Sequence, residues 1–262
     1  MNITIIFFRI IRYIRYWLLA MDEHSLQSPY LFNLYQQALN PARRGRLNSA
    51  EVEALRRRLH HDERKIELNA FGSGSSMSSP RSKRIKNIAR LGITSKSQSE
   101  ILVNLLEYQG SKVVLELGTS LGVNTIYLSR AKGVEHVVTV DGNTDLCEIA
   151  RSHFSELKLR NIEQVNSDID TFLQELDGTF DFIYIDANHT YEATRCFFSK
   201  SLHHLSDSGI IILDDINWSP EMSKAWTEIQ DEYPDHLYIE NDKIGIVFAN
   251  VESVKRHYIL RF

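Results

Sequence analysis

The chain has 262 residues, 43% hydrophobic and 24% charged, with a formal net charge of −4. That hydrophobic share excludes a disordered chain, and twelve glycines with five prolines exclude a collagenous or low-complexity one. Two cysteines, Cys147 and Cys196, cannot build a disulfide framework, so a reducing, cytoplasmic setting is expected.

The charge is uneven along the chain. Residues 1–111 carry 17 Lys/Arg against 9 Asp/Glu, whereas residues 112–262 carry 13 against 25. A basic first part beside an acidic second part indicates a composite chain. Either the two parts neutralise one another by packing, or the basic part meets a nucleic acid or a membrane. The basic part lacks the interleaved aromatics of a base-stacking surface, which disfavours nucleic acid.

The first element is an amphipathic helix expected over 2–21. Arg9, Arg12 and Arg15 share one sector at about 100° per residue, and Ile6, Ile10, Ile14, Trp17 and Leu18 lie mostly elsewhere. No run reaches the roughly 18 apolar residues that cross a bilayer. The arginines follow the apolar stretch, which is the wrong order for a signal peptide. Three settings suit this helix: the rest of the protein, a partner subunit in a homodimer, or peripheral contact with an anionic membrane surface.

His24–Pro29 is a turn before a helical pattern at Leu31, Leu34, Tyr35 and Leu39, which Asn40-Pro41 ends. Asn48 with Glu51 reads as a capping box opening another helix, with Arg56, Arg57 and Arg58 on its solvated face. The Ser/Gly-rich segment 72–80 is either a linker or a mobile lid over a ligand. Ser95–Tyr108 is a further helix. Residues 1–100 therefore read as a helical extension and 101–262 as a separate domain.

From Lys112 short apolar runs alternate with helical patterns. The runs are Val113–Leu117, His136–Val140, Ile162–Val165, Phe180–Ile185, Ile210–Leu213, Leu237–Ile239 and Ile244–Phe248. This alternation predicts an α/β fold with a doubly wound, mostly parallel sheet. The last two runs lie close together and predict an antiparallel edge hairpin.

The first strand runs into Glu116-Leu117-Gly118-Thr119-Ser120-Leu121-Gly122, an E-x-G-x-x-x-G turn opening a helix. Ligands of open α/β sheets bind at such carboxyl ends of strands. The pattern is neither the dinucleotide fingerprint nor a phosphate loop. The turn carries a carboxylate and no cation, which suits a cationic ligand with an amino group, as in S-adenosylmethionine. The second strand ends at Asp141-Gly142, where a carboxylate can accept from ribose hydroxyls and the glycine leaves room for the sugar. The third leads to Asp168, which can accept from an adenine amino group.

On these residues the sequence resembles the class I S-adenosylmethionine-dependent methyltransferases. VLELGTSLGVNT, at 114–125, is similar to their first motif, and the likeness spans roughly 100–250. Within that class it looks closest to the cation-dependent small-molecule O-methyltransferases of the catechol, caffeoyl-coenzyme A and macrolide-sugar types. The resemblance implies a Rossmann-like seven-stranded sheet of order 3-2-1-4-5-7-6 with strand 7 antiparallel. It also implies that Gly118, Thr119, Ser120 and Gly122 form the cofactor turn. Glu116 then lies near the methionine amino end, Asp141 and Gly142 at the ribose, and Asp168 near the adenine.

The fourth and fifth strands deliver Asp186 and the pair Asp214-Asp215 to the same edge. Three clustered carboxylates repel unless a hard cation such as Mg²⁺ sits among them. Such an ion would hold an acceptor hydroxyl, and His189, three residues beyond Asp186, would take its proton. Catechol-type enzymes have Asp-Asn where this chain has Asp214-Asp215. The alternatives are that Asp186 and Asp215 merely cap the following helices and His189 is a loop residue. Tyr191 and Trp218 either line an acceptor pocket or pack in the core. At the level of function, the expectation is methyl transfer to a small-molecule hydroxyl. Metal-independent methylation at nitrogen or carbon and a non-catalytic cofactor-binding module stand as alternatives.

Overall fold

The computed structural model describes residues 3–43, 49–68, 81–251 and 255–262. In chain order its elements are α1 (Ile3–Leu19), α2 (Pro29–Leu34), α3 (Ala50–His60), β1 (Lys65–Leu68), β2 (Arg81–Arg84), α4 (Ile85–Gly92), α5 (Lys96–Gln109), β3 (Val113–Leu117), α6 (Val123–Ser129), β4 (His136–Asp141), α7 (Thr144–Glu156) and β5 (Ile162–Asn166). They continue as α8 (Ile169–Glu175), β6 (Phe180–Ile185), α9 (Tyr191–Leu202), β7 (Leu205–Leu213), α10 (Pro220–Glu232), β8 (Leu237–Glu240), β9 (Gly245–Phe248) and β10 (His257–Ile259). The Ser/Gly-rich segment 72–80 and Asn48 fall outside the described residues. The chain divides into two compact units, Ala42–Leu176 and Met1–Pro41 with Asp177–Phe262.

In the unit Ala42–Leu176, β3, β4 and β5 run parallel in the spatial order β5-β4-β3. Valine and leucine fill the first two of these strands, and Val114, Leu115, Val137 and Val140 are buried, as parallel strands covered on both faces require. Helices form where polar caps stand before apolar periodicity. Ser95 accepts from the Gln98 N–H to open α5, and Asn143 accepts from the Leu146 N–H to open α7. Gly110 at φ 68° closes α5. At α3 the flanking residue is Ser49, whose side chain makes no capping bond, so the helix starts without the expected box. Arg56 of α3 is not simply solvated: it pairs with Glu53 and donates to the Thr94 carbonyl at 2.8 Å.

The structure adds a feature that the sequence reading did not contain, an antiparallel pair of β1 and β2. The β1 backbone is held at the start of α7. Glu67 N–H donates to Asp145 Oδ2 at 2.9 Å, and Asn143 Nδ2 donates to the Glu67 carbonyl at 3.0 Å.

In the other unit the order is β6-β7-β9-β8-β10. β6 and β7 are parallel, and β9 is antiparallel to both of its neighbours, β7 and β8. The two stretches match the expected 3-2-1 and 4-5-7-6 segments, and the fold is the α/β, Rossmann-like, mostly parallel class. One expectation needs correction. The β8–β9 hairpin is not an edge, because β10 pairs in parallel with β8. The core here is aromatic and β-branched, with Phe182, Tyr184, Ile210–Ile212, Trp226 and Phe248 buried.

Helix α1 is amphipathic as expected, but Arg9 and Arg12 turn toward the protein. Arg9 Nε donates to the Trp218 carbonyl at 2.8 Å, and Arg12 Nε donates to Asn217 Oδ1 at 2.7 Å. The outward face is apolar, with Phe7, Ile10, Tyr13, Trp17 and Leu18 exposed. No described helix is long and apolar enough to cross a membrane.

Candidate active site

The glycine turn lies in the unit Ala42–Leu176. Between β3 and α6 the backbone turns left-handed three times, at Gly118 (φ 110°), Ser120 (φ 49°) and Gly122 (φ 77°). Glycine is the residue that adopts such angles without a Cβ clash. The turn is pinned to β4: Gly118 and Thr119 N–H both donate to the Val140 carbonyl, at 2.9 and 3.2 Å. Asp141 ties the turn to its own loop, accepting from Ser120 N–H at 2.8 Å and Asn143 N–H at 2.9 Å, across Gly142. Burial raises the Asp141 pKa, and these two backbone donors oppose that rise.

Glu116 sits fully buried beneath the turn. Its Oε1 accepts from Asn124 Nδ2 at 2.9 Å, and its Oε2 accepts from Thr139 Oγ1 at 2.7 Å and from the Thr125 hydroxyl. Thr139 Oγ1 also lies 2.7 Å from Thr119 Oγ1. The carboxylate thus locks β3, β4 and α6 together under the glycine turn, using three donors that sequence reading missed. Asp168 caps α8, with Oδ1 accepting from Thr171 N–H at 3.0 Å.

The acidic cluster lies in the other unit. After β6 the chain passes Asp186 and two left-handed residues, Asn188 (φ 61°) and His189 (φ 28°), before α9. Backbone held in this sparsely populated region costs about 1–3 kcal/mol per residue and recurs at functional sites. The strained turn brings His189 Nε2 to 3.4 Å from Asp186 Oδ1. Burial pulls the His189 pKa down, but the hydrogen bond and charge of Asp186, with Asp215 and Asp214, carry it above the usual histidine value. The helix-capping alternatives do not hold. Thr190 caps α9 and Ser219 caps α10, leaving Asp186 and Asp215 for the cluster.

Asp214 is buried at the end of β7. Its Oδ2 accepts from Tyr184 OH at 2.7 Å and its Oδ1 from the Asp215 N–H at 2.8 Å. Burial, then the charges of Asp186 and Asp215, raise its pKa. Lys243, from the turn before β9, places Nζ 3.6 Å from Asp214 Oδ1 and 3.8 Å from Asp215 Oδ1. These three carboxylates do not fit the divalent cation that the sequence suggests. Both oxygens of Asp214 are engaged, and an ammonium already stands beside Asp214 and Asp215. Among the described residues no three acid, histidine or cysteine side chains are arranged to hold a metal ion.

A cavity of about 230 Å³ opens beside the cluster, with Arg9, Arg12, Tyr13, Asp215, Trp218 and Lys243 in its lining. The Arg9 guanidinium stacks on the Trp218 ring at 3.4 Å. Trp218, 47% exposed, therefore lines this cavity and does not pack in the core. Tyr191 does not: its hydroxyl donates to Glu228 of α10. Lys243, Tyr184, Arg9 and Arg12 are the members of this site that sequence reasoning missed.

Residues 115–216, which run from β3 through the Asp214-Asp215 pair, match the family model described as a methyltransferase domain. The chain is similar to the O-methyltransferase hkm8 of Aspergillus hancockii, 32% identical over 124 residues that make up 44% of this chain and 48% of the relative. The match thus spans about half the length of that curated relative.

Among solved structures it resembles a Staphylococcus aureus protein assigned as a caffeoyl-CoA O-methyltransferase. The TM-score there is 0.60 at 15% identity, covering 84% of this chain and 98% of that one. It also resembles the S-adenosylhomocysteine-bound methyltransferase PaMTH1 of Podospora anserina, with TM-score 0.56 at 15% identity and coverage of 78% and 97%. A third likeness is to the O-methyltransferase TomG of Streptomyces achromogenes in complex with S-adenosylmethionine, with TM-score 0.53 at 19% identity and coverage of 61% and 82%. These structural likenesses show the fold.

Proposed function

We propose that the chain is an S-adenosylmethionine-dependent O-methyltransferase acting on a small-molecule hydroxyl. The observation that carries this reading is the His189–Asp186 pair, held on a strained turn in the acidic cluster beside the 230 Å³ cavity. The glycine turn fits the cofactor. Gly118 and Gly122 present backbone without a side chain, and Asp141 ends β4 with a carboxylate beside Gly142. In this reading Gly118, Thr119, Ser120 and Gly122 bind the cofactor's amino-acid end, with Glu116 supporting them from below. Asp141 and Gly142 bind its ribose, and Asp168 binds its adenine.

S-adenosylmethionine supplies an electrophilic methyl group on its sulfonium. The protein's own part is to bind and deprotonate the acceptor. The acceptor lies in the cavity, with Trp218 as an apolar wall. His189, in its neutral form, takes the proton of the acceptor hydroxyl, and Asp186 orients the imidazole and stabilises the imidazolium that results. The freed oxygen lone pair would form the new O–CH₃ bond as the S–CH₃ bond of the sulfonium breaks, leaving the neutral thioether S-adenosylhomocysteine. No step runs through a divalent cation.

Calorimetry with S-adenosylhomocysteine tests the cofactor part, and a panel of hydroxylated aromatics and sugars assayed for radiolabelled methyl uptake tests the rest. Expected are one bound nucleoside per chain and a turnover that falls about 10²–10⁴-fold in His189→Ala, the usual range for loss of a general base. Absence of nucleoside binding overturns the reading, and full turnover in His189→Ala removes the base.

A further inference from the structure

The acids at the ends of β6 and β7 pose an electrostatic problem. Three carboxylates converge, one of them fully buried, and like charges at such distances repel strongly in a poorly solvated site. A proton on Asp214 or a nearby cation relieves that repulsion. We propose that this cation is the Lys243 ammonium, and that it takes the place a divalent metal would hold in activating the acceptor.

Four observations carry this. Lys243 Nζ stands 3.6 Å from Asp214 Oδ1 and 3.8 Å from Asp215 Oδ1, so it bridges the consecutive acids. Its placement is built by the backbone. The Lys243 N–H donates to Asn241 Oδ1 at 2.8 Å, and its carbonyl accepts from Ile216 N–H at 2.9 Å. Asp214 is fixed by internal donors, Tyr184 OH on one oxygen and the Asp215 N–H on the other, which holds its carboxylate beside the ammonium. Lys243 also lines the cavity beside Asp215, so the ammonium faces the volume where an acceptor would lie.

An ammonium and a divalent ion solve the same problem differently. Mg²⁺ needs near-octahedral oxygen ligands at about 2.0–2.1 Å. A lysine needs only acceptors within hydrogen-bonding or ion-pair reach, brings one positive charge, and has three donors. Here the ammonium is ion-paired with both Asp214 and Asp215. Because it lines the cavity, its positive charge would stabilise an acceptor oxygen as an oxyanion when the hydroxyl proton passes to His189. That catalytic role rests on the methyltransferase reading, whereas the occupation of the cluster by Lys243 does not.

The test is a Mn²⁺ titration of the full chain followed by electron paramagnetic resonance, without cofactor or acceptor. The wild-type protein is expected to leave Mn²⁺ free at tenfold molar excess. Lys243→Met is expected to bind Mn²⁺ at least tenfold more tightly than wild type, because the carboxylates then lack their cation, and Lys243→Arg is expected to stay silent. One Mn²⁺ bound per wild-type chain and lost in Asp214→Asn overturns the proposal, as does a folded Lys243→Met that is as silent as wild type. The wild-type titration decides the matter even where the methionine variant does not fold. Loss of S-adenosylhomocysteine binding would sink the functional reading and leave this result untouched.

Discussion

Gly122→Ala is the most direct probe of the cofactor turn, and its cost can be worked from two separate terms. The residue sits at φ 77°, where an L-residue suffers a clash of its own Cβ with the following carbonyl, worth roughly 1–2 kcal/mol. A Cβ there would also lie 2.8 and 2.9 Å from Phe154 Cε1 and Cζ and 3.0 Å from Ala150 Cβ. Both neighbours belong to α7, and both are buried, so the ring must shift in a packed core, at about 1–3 kcal/mol. The expected loss is therefore about 2–5 kcal/mol, the sum of the two terms. Gly133→Ala isolates the first term, since Gly133 has φ 93° but nothing within 4 Å of the position a methyl would take. Urea unfolding of both variants gives the difference, and calorimetry with S-adenosylhomocysteine shows whether the displaced turn also weakens binding. Equal stability losses in the two variants would refute the packing argument, and a Gly122→Ala protein as stable as wild type would refute both terms.

Four further outcomes follow from the geometry. Because His189 must be neutral to accept a proton, kcat/KM is expected to rise with pH through its raised pKa; Asp186→Asn, which removes the raising partner, should move that limb to lower pH, and an unmoved profile would dissociate the pair. His153 Nδ1 lies 3.0 Å from the Leu121 carbonyl, an acceptor, so Nδ1 carries the donated proton, and burial lowers the pKa of the ring. Its unfolded form therefore binds more protons just below about pH 6.5, so stability falls as pH drops through that window; the difference in urea midpoint between wild type and His153→Gln should shrink from about pH 7.5 to about pH 5.5, and a constant difference would argue against it. Gly245→Ala would set a methyl 2.5–2.7 Å from the buried Trp226 ring and should lower stability by about 1–3 kcal/mol in urea unfolding; an unchanged midpoint would show that the ring can yield. Thr139→Val removes a donor from buried Glu116 and should cost about 1–3 kcal/mol by the same assay, with no loss expected only where another donor fills the gap.

How legible the fold was depended on the kind of strand. Those covered by helices are written as apolar runs, and β3, β4, β5, β6, β8 and β9 fall within a residue of the expected limits. β7 begins earlier, at Leu205, because its first half, Leu205–Gly209, is polar and carries no run. The strands that were missed have no such signal. β2 reads Arg-Ser-Lys-Arg, without one apolar residue, and pairs with Lys-Ile-Glu-Leu, whose alternation is only four residues long. β10 is His-Tyr-Ile near the chain end and exists through its pairing with β8. A strand defined by its partner rather than by burial leaves little in the sequence to find.

The acids of the site were legible because each ends an apolar strand, but the cation among them was not, and the reason is register. β7 and β9 pair antiparallel as far as Leu213 opposite Gly245, which brings the loop after β7 beside the turn before β9. There the Ile216 N–H donates to the Lys243 carbonyl, one residue out of the strand register, and the lysine comes to lie beside Asp214 and Asp215. Sequence alone offered the hairpin and its antiparallel sense without that register, and a slip of one residue would have sent the lysine to the opposite face. The arginines of α1 pose the same kind of problem. Their three-residue spacing placed Arg9 and Arg12 on one helical sector, but whether that sector met lipid, solvent or the Asn217-Trp218 loop is a tertiary fact. Charge counting by chain segment therefore misjudged the site. The acidic second part carries Lys243 ion-paired with Asp214 and Asp215, and two charges of the basic first part line a cavity wall.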